Sequence, residues 1–123
     1  MFTVLRIELA DVSRGYFLTI AEAINKAVPG ACKGPDRDPL RMSCEVSDVR
    51  PWDKHLKDVV NRLDSMIPVL NQYLDVLTDK QLDILIEPED WGNAAFDEYP
   101  IGEKFLRILV ENKIDLVLTV SHP

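Results

Sequence analysis

The residues able to do chemistry in this sequence are two histidines, two cysteines and a dense set of carboxylates. A zinc site needs paired ligands at short spacing. His55 and His122 are far apart, and no C-x-x-C is present. His55 is expected on the polar side of a helix, where it would be a solvated histidine. A thiol nucleophile needs a base beside it. Cys44 is expected to point inward from a strand and Cys32 to lie in a loop with only Lys33 close by; in a cytosolic chain both are read as free thiols, with a disulfide as the alternative. No serine stands in a G-x-S-x-G elbow. GACKGPDRD (residues 30–38) has glycines and a lysine but lacks the phosphate-loop order. Carboxylate pairs do acid–base work only when a cleft separates their pKa values, and nothing in the sequence places a pair in one. The expectation is no catalytic residue, no metal and no cofactor, hence not an enzyme.

One stretch stands apart. IEPEDWGNAAFDEYP, residues 86–100, carries five carboxylates, three aromatic rings and no lysine or arginine. It lacks the one-three-five carboxylate spacing of a calcium loop. Two readings fit it at about even odds. In the first it is a solvated connection whose rings anchor on the core. In the second it is an interaction surface, since interface centres are rich in Trp, Tyr and Phe and a single-sign field speeds association with an oppositely charged partner. The second reading assigns partner contacts to Glu87, Glu89, Asp90, Trp91, Asp97, Glu98 and Tyr99.

Charge supports a basic partner. The net charge is −7 and the sequence pI about 4.7. Residues 1–62 carry ten Lys and Arg against nine Asp and Glu; residues 63–123 carry four against twelve. The first half is therefore +1 and the second −8. Nucleic acid and anionic membranes, which both require a basic face, are disfavoured as partners. No run approaches the ~20 apolar residues of a bilayer span. MFTVLRIELAD is too charged for a signal peptide, so a cytoplasmic location is expected.

The elements follow from periodicity. Residues 3–9 alternate Leu5, Ile7 and Leu9 with Val4, Arg6 and Glu8, as a half-buried strand does. Residues 19–30 place Ile20, Ala21, Ile24, Ala27 and Val28 at helical spacing behind a Thr19–Glu22 capping box, and Pro29-Gly30 stops them. Residues 40–47 form a second strand, with Leu40, Met42, Cys44 and Val46 inward. Trp52, Leu56, Val59, Val60, Leu63, Met66 and Ile67 predict a helix over 52–66. Pro68 predicts a break before a shorter helix to 76. Residues 81–87 and 114–121 predict two more strands around a helix over 101–112 that ends at Asn112-Lys113. One face of most strands is polar. The class is therefore α+β, a single-domain (residues 1–123) two-layer sandwich with helices on one face of a four- or five-stranded sheet.

Three segments together look familiar: HLKDVVNRLDSMIPVLNQYL, the strand LDILIE, and the ending EKFLRILVENKIDLVLTVS. Over roughly residues 40–121 the pattern resembles a family of small bacterial domains of unknown function, some encoded beside polymorphic or contact-dependent toxins and regarded as immunity proteins. The resemblance implies stoichiometric binding of a toxin domain and transfers no catalytic residue. The rival expectations are a homodimeric structural or regulatory module associating through its sheet, with Val4, Leu85 and Val117 on the outer face, and a small-molecule enzyme.

Overall fold

The computed structural model describes residues 1–10, 15–33, 40–87 and 99–121. The elements run β1 (Phe2–Leu9), α1 (Phe17–Ala27), β2 (Arg41–Ser47), α2 (Trp52–Asn71), a 3-10 turn (Leu74–Val76), β3 (Leu77–Ile86), α3 (Glu103–Glu111) and β4 (Asp115–Val120). The strands form one mixed sheet in the order β2-β1-β3-β4. β1 pairs antiparallel with β2 and with β3, and β4 runs parallel to β3. A parallel neighbour requires a crossover, and residues 87–114, with α3 inside them, supply it. The α+β class with helices on one face holds, and the sheet has four strands among the described residues.

Alternation decides which face is covered. Thr3, Leu5, Ile7 and Leu9 of β1, Met42, Cys44 and Val46 of β2, and Lys80, Leu82, Ile84 and Ile86 of β3 are all buried. The stripes of α1 and α2 close over them with Ile20, Ile24, Val59, Leu63, Met66 and Leu70. The other face of the sheet is a lattice of cross-strand charge pairs: Arg6–Asp83 at 2.6 Å, Arg41–Glu8 at 3.2 Å and Lys33–Glu45 at 3.1 Å. Exposed pairs of this kind contribute little each. Their main effect is to keep that face wet.

The structure corrects several expectations. Thr19 does not cap α1: the helix starts at Phe17, Tyr16 stands at the cap without a side-chain bond, and Leu18 is exposed. The gain from burying Phe17 outweighs the cap. Pro68 does not break α2, which runs unbroken to Asn71. Proline there removes one backbone bond in the last turn, and buried Met66 and Leu70 on either side hold the helix. The left-handed residue after α3 is Lys113 (φ 53°), not Asn112. In β4, the edge strand, Leu118 and Val120 are exposed.

The cysteines are not free thiols. Cys32 and Cys44 face each other in an antiparallel bridge with Cα atoms 4.5 Å apart and form a disulfide. That spacing is the one found for directly opposed residues outside a hydrogen-bonded pair. Asn25 of α1 clamps Cys32 from the other side. Its side chain accepts from the Cys32 amide at 2.7 Å and donates to the Cys32 carbonyl at 2.9 Å. The segment after α1 is thereby tied to β2 by covalent and polar bonds at once.

Candidate functional site

α2 and the segment leading into α3 enclose an open groove of about 610 Å³. Trp52, Leu56 and Val60 form its α2 side; Pro100, Ile101 and Phe105 form the other. Asp53, Lys57, Glu103 and Lys104 stand on the rim, so an apolar floor meets a charged border of mixed sign. Protein interfaces share this arrangement of apolar centre and polar rim.

Trp52 organises the groove. It opens α2 immediately after Pro51 and is buried. Its indole Nε1 donates to the Pro100 carbonyl at 2.7 Å, and its ring meets Tyr99 edge-on at 5.4 Å between centroids. Behind it lies His55, stacked on the indole at 6.1 Å and fully buried. This overturns the solvated-histidine reading. The His55 Nδ1 lies 2.8 Å from the Val49 carbonyl, which can only accept, so Nδ1 carries a proton. On a neutral ring, Nε2 then accepts from the Thr3 hydroxyl at 2.6 Å. Thr3 and His55 are the polar members of two otherwise apolar stripes, and each satisfies the other. The result is a rigid support for Trp52.

Of the seven residues assigned to partner contact, the structure describes two. Glu87 directly follows β3 and lies 3.9 Å from the amino group of Met1. Tyr99 is half-buried against Trp52. Glu89, Asp90, Trp91, Asp97 and Glu98 lie outside the described residues. The two described residues are Glu87, next to the end of β3, and Tyr99, beside the groove.

Sequence reasoning missed the Trp52–His55 pair as a unit. The signal was present in the spacing 52-55-59-63-66-70, which is the buried stripe of α2 and counts His55 as a member. Among the described residues, no group of three or more His, Cys, Asp and Glu side chains is placed to hold a metal, and no helix is long and apolar enough to cross a membrane. Comparison with protein-family models, curated proteins and solved structures gives no match to this chain.

Proposed function

We propose that this chain is a non-catalytic binding protein, an immunity protein that neutralises a basic toxin domain by stoichiometric association. The observation that carries the reading is the apolar groove beside Tyr99, the last residue assigned to partner contact. An apolar cleft supplies the desolvated centre of an interface. The −8 charge of residues 63–123 supplies a field that draws in a basic surface. The α2–α3 groove would grip, and Glu87, Glu89, Asp90, Trp91, Asp97, Glu98 and Tyr99 would steer and seal.

The first test is capture from native lysate with the tagged protein at low and high salt, read by mass spectrometry. The expected result is one basic protein, retained at low salt and weakened at high salt. Recovery of the chain alone would move the weight to self-association through the exposed β4 edge. With the captured partner in hand, Asp90→Lys combined with Glu98→Lys should slow association by about tenfold or more at low ionic strength and leave dissociation nearly unchanged. An unchanged association rate would remove this surface from the proposal.

We place the action of the protein in the cytoplasm. There Cys32 and Cys44 would stand as a dithiol, because cytosolic reductants keep structural thiols reduced. Alkylation of acid-quenched cells should then label both cysteines. A protected pair would mean that the disulfide form is the working form and that the protein acts in an oxidising compartment.

A further inference from the structure

The end of the sheet opposite Glu87 holds a second cavity, of about 360 Å³, between the C-terminal ends of α2 and α3 and the start of β3. Asn71, Thr78, Lys80, Asn112 and Lys113 line it. Lys80 sits on the core-facing side of β3, in phase with Leu82, Ile84 and Ile86 and opposite buried Ile7 of β1. It keeps only 9% of its exposure. Among the described residues, no hydrogen bond and no ion pair reaches the ammonium of Lys80 or that of Lys113. Buried ammonium groups are normally paired. Here the largely buried Lys80 shares a cavity with the exposed Lys113, and no described carboxylate is paired with it.

Asp79 and Glu111 line the same cavity; both are exposed, and among the described residues neither comes within ion-pair distance of Lys80 or Lys113. Burial, with the charge of Lys113 added, pushes the Lys80 pKa below its ordinary value.

Lys113 adds a separate argument. It terminates α3 in a left-handed conformation, with Lys113 N–H donating to the Val110 carbonyl at 3.2 Å and Ile114 N–H to the Leu109 carbonyl at 2.9 Å. Glycine is the favoured residue at this position of such a cap. A side chain held there at φ 53° costs about 1 kcal/mol or more. The chain thus carries a lysine where the backbone favours none, and its ammonium borders the same cavity as Lys80.

We propose that Lys80 and Lys113 form a binding site for a small oxyanion, a phosphate or carboxylate group of a low-molecular-weight ligand. The cavity volume suits a small molecule and excludes a folded partner. The oxyanion lies between the two ammonium groups, with the Thr78 hydroxyl and the Asn71 amide as neutral donors within the same lining.

The test is a titration of the isotopically labelled full chain with sodium phosphate, and separately with sodium acetate, at constant ionic strength. Backbone amide shifts are the readout. Saturable shifts confined to residues 77–81 and 111–115 are expected, with phosphate or acetate identifying the group bound. Lys80→Met and Lys113→Gly should each weaken that binding at least tenfold. Both variants remove a destabilising feature, so both should melt no lower than the parent, which separates loss of a site from loss of the fold. Linear shifts, shifts scattered over the surface, or saturable binding that survives both substitutions would overturn the proposal.

Discussion

Among the described residues, two side chains of titratable type, His55 and Lys80, are buried on the core face of this protein, and they are handled in opposite ways. His55 of α2 has both ring nitrogens engaged, by the Val49 carbonyl and the Thr3 hydroxyl, and a tryptophan ring stacked on its face. Lys80 of β3 opens into a cavity shared with a second lysine, with no ion pair to any described residue. A satisfied buried polar group fixes one packing arrangement and belongs to the architecture. An unsatisfied one is a standing cost that a ligand can relieve. The first region holds Trp52 and the groove in shape. The second leaves a lysine unpaired among the described residues at a cavity, where the proposed oxyanion would bind.

The comparison breaks most visibly at His55. Replacing it with alanine removes the ring that supports Trp52, opens a cavity and leaves the Thr3 hydroxyl without its partner. A loss of about 2–4 kcal/mol is expected, or roughly 10 °C in melting temperature. Thr3→Val keeps the shape and deletes only the hydroxyl. It should cost about 1–3 kcal/mol, because Nε2 is then buried without a donor. The His55→Ala, Thr3→Val double variant should lose less than the sum of the singles, since neither polar group is left stranded. Thermal denaturation of the four proteins checks this. Simple additivity would mean that the bond between the two side chains contributes nothing.

The same pair shows what the sequence could and could not reveal. The inward strand residues and the stripes of α1 and α2 were legible because period two and period 3.6 fix which side chains share a face. The position of His55 was in the same pattern, yet its chemical type argued for solvent, and only the tertiary meeting with Thr3 reverses that. Lys80 was missed for a simpler reason. The strand was expected to begin at residue 81 and in fact begins at Leu77, so the lysine was cut from its inward series. The disulfide depends on Ala31–Cys32 lying alongside β2, a pairing set by the course of the chain after α1 and not by any local signal. At the groove, the acidic stretch was visible from composition, but its attachment through Tyr99 to Trp52 needed the fold.

The smallest effect is the one that sharpens the contrast most, because its sign is opposite to that at His55. Lys80→Met exchanges a desolvated ammonium for an apolar side chain of similar length. Truncating a satisfied polar residue destabilises; this substitution should leave stability unchanged or raise it. Its pH dependence follows from the lowered pKa of Lys80. The unfolded chain binds the proton more tightly than the fold does. At neutral pH and below, both states are charged and the fold bears the full cost. As pH rises through the folded pKa toward the ordinary value of 10.5, Lys80 loses its proton in the fold first and the parent gains stability. The advantage of Lys80→Met over the parent should therefore be greatest near neutral pH and shrink on the way to 10.5. Parallel urea denaturation at pH 7 and near pH 10 measures it. A gap that instead widened with rising pH would mean that the fold stabilises the charged lysine, and the cavity would then be an already neutralised site with no need of an anion.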